Sequence, residues 1–248
     1  MQSRYYDPVI CKFINIDEPA ILFETALDSL SVHLWDYCDG NPVMYVDYTG
    51  AKKSKLAILT IEQFYNESRE IKNLLSKIFP SNSTMLYQYN GSSSFINMWN
   101  ELSGYDVIVI NSHGSPDHIT YVGRKLLYSS SNKLKVKNIK CKLLIILGCN
   151  CGHYNTRKAN IAYYFSQKIT GVVVASDGTV YSSQSKGTLI FKSKTDDTYL
   201  SYCGKQTRPN KGWLIYQYIN KKGYVWTTPY KNLELKQFIT YLKMIKKF

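Results

Sequence analysis

The chain has 248 residues, of which 44% are apolar, and its formal net charge is +13. This length and apolar content suffice for one sizeable α/β domain with a small appended unit. No run approaches the roughly 18 consecutive apolar residues of a membrane-spanning helix, and the first residues lack the charged and then apolar pattern of a signal peptide. We therefore expect no membrane span and no secretion signal in the sequence itself.

Charge divides the chain near residue 50. Residues 1–50 hold two cationic residues against eight carboxylates, a net charge of −6, which leaves +19 on residues 51–248. A basic domain can bind nucleic acid through clustered Lys and Arg. Here the lysines are scattered, and Lys, Asn, Ile and Tyr are abundant together, which is typical of a composition bias. Nucleic acid is therefore not an expected partner.

The first fifty residues contain two extended segments rich in aromatic residues, with a short helix predicted between them over 20–32. The segments read RYYDPVICKFINID at 4–17 and WDYCDGNPVMYVDYTG at 35–50, and Asp-Pro, Gly-Asn-Pro and Thr-Gly mark turns in them. This pattern resembles the end of the Rhs repeat-associated core domain, which closes the β-shell of Rhs and YD-repeat polymorphic toxins. The resemblance implies that residues 1–50 are a small β-rich remnant of that core.

Two departures from the Rhs pattern occur in this segment. Cys11 and Lys12 occupy the place of the usual Gly-Arg, and Tyr48 replaces the proline of the closing Asp-Pro-x-Gly. In that family the closing motif is associated with self-cleavage, which releases the toxin from its shell. The resemblance implies that residues 51–248 are a bacterial effector domain delivered into a target cell as part of an Rhs-type protein, with a cognate immunity protein as a candidate partner.

From residue 55 onward, predicted strands alternate with predicted helices. The predicted strands are KLAILTI at 55–61, MLYQY at 85–89, YDVIVIN at 105–111, CKLLIILG at 141–148 and GVVVAS at 171–176. Apolar residues at helical spacing predict helices over 62–79, 94–102 and 157–169. A hairpin at 212–228 and an amphipathic helix at 233–248 complete the chain. This alternation predicts an α/β layered fold with a mainly parallel central sheet flanked by helices.

Two of these predicted strands end in residues that can carry out chemistry. VIVINSHG ends with His113 and Gly114, and LIILGCNCG places Cys149 directly after its strand. Because neighbouring parallel strands bring their carboxyl ends to one edge of a sheet, we expect His113 and Cys149 to lie together. A thiolate is a nucleophile, and an imidazole beside it can take its proton. The backbone N–H groups of Gly114 and Cys149 are candidates for binding a developing oxyanion.

The two strand ends resemble the signature of the caspase-like cysteine peptidases, which include gingipains, clostripain, separases and the CHAT-domain peptidases. In that family an apolar strand ends in His-Gly, and a second one ends in a small residue followed by the catalytic cysteine. Here the two motifs occur in the same order, with His113 and Cys149 36 residues apart. The resemblance implies a caspase-like cysteine endopeptidase over residues 51–248, with Cys149 as nucleophile, His113 as its base, protein or peptide substrates and no cofactor.

Other chemistry stays open for the same residues. A zinc site could use Cys149, Cys151 and His153 with His113 or His118, although C-x-C-x-H lacks the usual C-x₂-C spacing and a second ligand pair. A redox pair would be C-x-C instead of C-x-x-C. HGSPDH at 113–118 offers two histidines and a carboxylate to a nuclease-type Rhs toxin domain. A non-catalytic binding module is a further alternative.

The residue that selects the cleavage site is predicted from the strand that follows the cysteine strand. VVVASDG at 172–178 ends at the same edge of the sheet, which makes Asp177 a candidate for the pocket that binds the side chain before the scissile bond. A buried carboxylate favours a guanidinium through paired, charge-assisted hydrogen bonds, so this interpretation predicts cleavage after Arg or Lys. Ser-Asp-Gly is also ordinary turn chemistry, which is the alternative for Asp177.

Overall fold

A computed structural model describes residues 6–7, 12–13, 55–76, 79, 83–121, 124–128, 136–153, 160–185, 188–194, 210–227 and 232–234. The chain divides into two compact units, one of Met1–Lys53 with Thr240–Phe248 and the other of Ser54–Ile239. In the first unit, the described strands β1 (Tyr6–Asp7) and β2 (Lys12–Phe13) pair antiparallel. The predicted helix over 20–32 and the DYTG motif at 47–50 lie outside the described residues.

A seven-stranded sheet forms the centre of the second unit. With strands numbered in chain order, it contains β3 (Leu56–Thr60), β4 (Thr84–Gln88), β5 (Val107–Asn111), β9 (Leu143–Ile146), β10 (Val172–Ser176), β13 (Trp213–Ile219) and β14 (Lys222–Thr227). Their spatial order is β14-β13-β10-β9-β5-β3-β4. The five strands from β4 to β10 are parallel, whereas β13 and β14 are each antiparallel to their neighbours. The predicted α/β fold with a mainly parallel sheet is confirmed.

The three strands β3, β5 and β9 are buried along their whole length. Such apolar runs are what a parallel sheet covered on both faces requires. Helices α2 (Ser92–Asn100) and α3 (Ile161–Ser166) contribute Phe95, Trp99 and Phe165 to the core cluster on one face. Helix α1 (Tyr65–Leu75) buries Ile71 and Leu75 and contacts β3 and β4. The sheet is therefore one layer of a layered α/β unit with few helices.

Two small antiparallel sheets follow the carboxyl ends of central strands. One consists of β6 (His113–Ser115), β7 (His118–Tyr121) and β8 (Arg124–Tyr128), and it begins two residues after β5. The other consists of β11 (Thr179–Ser185), β12 (Thr188–Lys194) and β15 (Asn232–Glu234), and it begins three residues after β10. Both small sheets therefore start at the edge where the sequence predicts a site.

The helices predicted over 62–79 and 157–169 are shorter in the structure, whereas the one predicted over 94–102 has the predicted length and lies two residues earlier, at Ser92–Asn100. A 3₁₀ turn over Glu62–Phe64 precedes α1, and α1 ends at Leu75. Helix α3 begins after Asn160, whose side-chain oxygen accepts the Tyr163 N–H at 2.8 Å, and not at residue 157 as predicted. The helix predicted over 233–248 is wrong at its start, because residues 233 and 234 belong to β15. The predicted hairpin over 212–228 is confirmed by β13 and β14.

Within the described parts of the chain, no helix is long and apolar enough to cross a membrane.

Candidate active site

The ends of β5 and β9 lie against each other at the carboxyl edge of the sheet. The two strands are parallel neighbours, and Ile110 pairs with Ile146. Gly114 follows β5, and a methyl group on it would lie 3.0 Å from the carbonyl oxygen of Cys149. A methyl group on Gly148 would lie 3.1 Å from the Cα of Gly114. The backbones of the His-Gly and Gly-Cys segments are therefore in direct contact, as the sequence predicts for neighbouring strand ends.

Cys149 is half-buried at this edge, and its sulfur faces β11. The Val180 N–H points at Cys149 Sγ at 3.4 Å, and the Val180 carbonyl oxygen lies 3.9 Å from the same sulfur. An N–H donor directed at sulfur stabilises negative charge there. Part of the residue remains accessible to solvent. Cys149 thus combines partial exposure with a backbone donor, two properties that a nucleophilic thiol needs.

Cys151 has a different environment from Cys149. It is fully buried, and a methyl group on either Gly114 or Gly148 would overlap its sulfur. Burial raises the pKa of the Cys151 thiol far above its ordinary value, and the neighbouring Cys149 adds to this rise. A thiol that stays protonated and enclosed is a poor nucleophile. Cys151 therefore acts as a small packing residue beneath the two glycines.

His113 is held by the segment that follows β3. Its Nε2 lies 2.8 Å from Gln63 Oε1, and its ring contacts Phe64 edge to face, with the ring centroids 4.9 Å apart. An amide oxygen accepts hydrogen bonds, so the contact suits the neutral tautomer that carries its proton on Nε2, and in that tautomer Nδ1 is the acceptor nitrogen. Sequence reasoning missed Gln63 and Phe64. Their position shortly after β3 could have indicated them, because β3 also ends at this edge of the sheet.

Glu67 on α1 joins the two sides of the site. Its Oε1 accepts a hydrogen bond from Asn111 Nδ2 at 2.9 Å, and its Oε2 accepts one from Ser182 Oγ at 2.5 Å. Asn111 ends β5, and Ser182 lies two residues beyond Val180 on β11. The Glu67 carboxylate therefore bridges the histidine strand and the strand that contacts Cys149. It is half-buried, and sequence reasoning did not identify it.

Asp177 lies at the end of β10 and is fully buried. Its Oδ2 accepts the Lys211 N–H at 2.8 Å, and its own N–H donates to the Gly212 carbonyl at 2.8 Å. Its Oδ1 lies 3.6 Å from Nδ1 of His153, which is also buried. These contacts tie the end of β10 to the segment before β13. The role of Asp177 in binding a substrate side chain stays a prediction.

The remaining histidine of the HGSPDH segment pairs with its neighbour. His118 Nδ1 lies 2.5 Å from Asp117 Oδ1, and Ser115 Oγ donates to the same oxygen at 3.2 Å. Burial alone would raise the pKa of the Asp117 carboxyl, but the hydrogen bond and the charge of His118 outweigh it and lower that pKa. His113 contacts Gln63 instead of joining this pair.

The described residues contain no group of three His, Cys, Asp or Glu side chains arranged to hold a metal ion. Each residue of the proposed zinc set has other neighbours: His118 lies beside Asp117, His153 beside Asp177, and Cys151 beneath Gly114. These three side chains therefore contact different neighbours along the edge of the sheet.

No known protein family has a sequence profile that matches this chain, and no curated protein matches it significantly.

Proposed function

We propose that residues 51–248 form a cysteine endopeptidase of the caspase-like type, with Cys149 as nucleophile and His113 as base. One observation carries the proposal: Gly114 lies in backbone contact with Gly148 and Cys149, and only the absence of side chains on the two glycines permits it. Because His113 precedes Gly114 directly, its main chain lies beside the segment that carries Cys149, and we propose that its imidazole reaches the thiol when a substrate binds. The partial exposure of Cys149 and the complete burial of Cys151 support the choice of nucleophile.

The proposed reaction begins with transfer of the Cys149 proton to His113. The sulfur attacks the substrate carbonyl carbon, and the C–O double bond opens to an oxyanion. The N–H groups of Gly114 and Cys149 are proposed to stabilise this oxyanion. The intermediate collapses as the C–N bond breaks, and His113 gives its proton to the leaving amine. Water then attacks the thioester with His113 as base, which releases the acid product and restores the thiol.

The strand order also supports a caspase-like assignment. Five parallel strands are followed in space by the antiparallel β13, and the two proposed catalytic residues follow adjacent central strands. The small β6–β8 sheet and the β11–β12 hairpin rise from the same edge and border the site. Gly114 on β6 contacts the backbone of Cys149, and Val180 on β11 contacts its sulfur, so both small sheets border the proposed nucleophile.

We propose cleavage after Arg or Lys, and two carboxylates at this edge are candidates for recognising the cation. Asp177, the residue that the sequence predicts, is fully buried and accepts a backbone hydrogen bond from Lys211. Glu67 is half-buried and is oriented by Asn111 and Ser182. A carboxylate already held in place binds a guanidinium with little loss of side-chain freedom.

From the Rhs-like head, we propose that this activity belongs to a bacterial effector delivered into a target cell, with proteins of that cell as substrates. That part of the proposal rests on the resemblance of residues 1–50. It is tested by expressing residues 51–248 inside cells. Growth arrest that disappears with Cys149→Ala supports a toxic peptidase, whereas equal arrest by both proteins contradicts it.

The peptidase itself is tested on a mixture of peptides with purified protein. Cys149→Ala and His113→Ala should each abolish cleavage, because nucleophile and base act as a unit. Cys151→Ser should retain most of the activity of the folded protein. A Cys149→Ala protein that cleaves like the parent would exclude the proposed dyad. A nuclease is tested in parallel with single- and double-stranded nucleic acids, and cleavage of those by the Cys149→Ala protein would favour that alternative.

A further inference from the structure

A groove of about 390 Å³ lies between helix α1 and the outer edge of strand β4. Tyr65, Arg69 and Lys72 line it from the helix, and Met85 and Leu86 line it from the strand. The positions 65, 69 and 72 are spaced by four and three residues, so they share one face of α1. The groove is separate from the proposed catalytic site, since β3 lies between β4 and β5.

Apolar side chains form part of the wall of this groove beside its polar and charged residues. Five large hydrophobic side chains are exposed in the described part of the chain, and two of them, Tyr65 at 36% and Met85 at 45%, line this groove. Leu86 also lines the groove. These side chains can cover apolar groups of a bound chain, while the polar and charged lining residues face its polar groups.

Strand β4 offers an open sheet edge beside this apolar surface. It pairs with β3 on one side, and among the described strands none pairs with its other side. An unpaired strand presents a row of N–H and C=O groups to which an extended peptide can add. At about 3.4 Å per residue, the five residues of β4 match a peptide segment of similar length.

The charges of the groove select among possible occupants. Arg69 and Lys72 form no ion pair with any described residue, and no acidic residue is among the described residues that line the groove. A second copy of this chain would bring the same two cations towards each other across a two-fold axis, and its net charge of +13 would add repulsion. An acidic segment would instead neutralise both cations.

We propose that the α1–β4 groove binds an extended acidic segment of a partner protein, which adds as a strand to the edge of β4. Main-chain hydrogen bonds to β4 hold the segment, and Tyr65 and Met85 cover its apolar side chains. Its carboxylates lie over Arg69 and Lys72. This surface is distinct from the cleavage site and binds its partner whether or not Cys149 is catalytic.

The experiment uses a labelled seven-residue peptide of alternating Val and Glu and measures its binding to the full chain by fluorescence anisotropy. A second peptide has Lys in place of Glu. A third keeps the Glu residues but carries N-methyl groups on alternate amides, which blocks strand pairing without changing charge. We expect the acidic peptide to bind at least about tenfold more tightly than the other two.

Two double variants carry the same change of charge, one inside the groove and one outside it. Arg69→Glu combined with Lys72→Glu should weaken binding of the acidic peptide about tenfold, because two attractive contacts become repulsive. Lys140→Glu combined with Lys222→Glu, two exposed positions outside the groove, should bind like the parent. Circular dichroism checks that each variant is folded.

Three results would overturn the proposal. The first is equal affinity of the two double variants for the acidic peptide. The second is equal affinity of the parent protein for the N-methylated and the unmodified acidic peptides. The third is a parent protein that sediments as a dimer which the Arg69 and Lys72 changes disrupt. Loss of binding by a Cys149→Ala protein is not expected. Peptide binding to this groove and peptidase activity are therefore tested independently of each other.

Discussion

At the scale of single residues, the glycines that bring the two strand ends together are the most constrained positions of the site. Gly114→Ala would force its new methyl group against Cys151 Sγ and the Cys149 carbonyl. Overpacking of this kind costs about 1–3 kcal/mol in the free energy of unfolding and displaces the thiol. We expect loss of peptidase activity and a lower Tm by calorimetry. Gly91→Ala is the control, since nothing lies within 4 Å of its added methyl group. Similar effects of the two changes would contradict the close contact.

Gln63 is predicted to position His113 through a single hydrogen bond. Gln63→Ala removes the acceptor from Nε2 and keeps the edge-to-face contact of the ring with Phe64. A hydrogen bond of this type contributes about 1 kcal/mol, so kcat should fall roughly fivefold while KM stays nearly constant. Glu62, the exposed neighbour of Gln63, provides the control, because Glu62→Ala should leave kcat and KM unchanged. An unaltered kcat in Gln63→Ala would remove this residue from the site.

At the scale of elements, α1 and β11 meet over the site through Glu67 and Ser182. If Glu67 recognises the substrate cation, Glu67→Gln should lower kcat/KM for peptides with Arg before the scissile bond about tenfold. Peptides with a neutral residue there should be cleaved as before. Cleavage-site profiling by mass spectrometry measures both.

Asp177 is the residue that the sequence predicts for this pocket, and Asp177→Ala is compared with Glu67→Gln. The change leaves the Lys211 N–H without its acceptor, so we expect a loss of about 1–3 kcal/mol in stability; if Glu67 is the residue that recognises the cation, the cleavage profile stays unchanged. A selective loss of Arg and Lys cleavage at unchanged stability would instead assign the pocket to Asp177.

The sequence predicted the elements that carry an apolar pattern and missed those that do not. Strands β3, β5 and β9 are uninterrupted apolar runs, and the expectation that His113 and Cys149 lie together rests on the parallel neighbours β5 and β9. Strand β11 is largely polar, TVYSSQS, so no apolar pattern marks it, although its partner β12 begins only three residues after it ends. The contact of Glu67 depends on β11 and that of Gln63 on the 3₁₀ turn, and so neither could be predicted.

At the scale of the whole molecule, the proposed mechanism draws all its groups from the chain. We therefore expect EDTA to leave both peptidase activity and Tm unchanged. The measurement is a cleavage assay and a thermal scan before and after dialysis against the chelator, with elemental analysis of the dialysed protein. Loss of activity restored by zinc would contradict the dyad and favour the metal alternative built on Cys149 and its neighbours.

The most direct test of the account is to identify which cysteine reacts with a substrate-like electrophile. A peptidyl acyloxymethyl ketone with Arg at its terminal position is incubated with the parent protein, and the modified residue is mapped by mass spectrometry. Burial raises the pKa of Cys141 to about 12 and that of Cys151 further, so both stay protonated at neutral pH and only a thiolate reacts readily. We predict one peptidyl group on Cys149, none in Cys149→Ala and a much slower reaction in His113→Ala. A label on Cys151, or labelling that persists in Cys149→Ala, would contradict the assignment of Cys149 as the nucleophile.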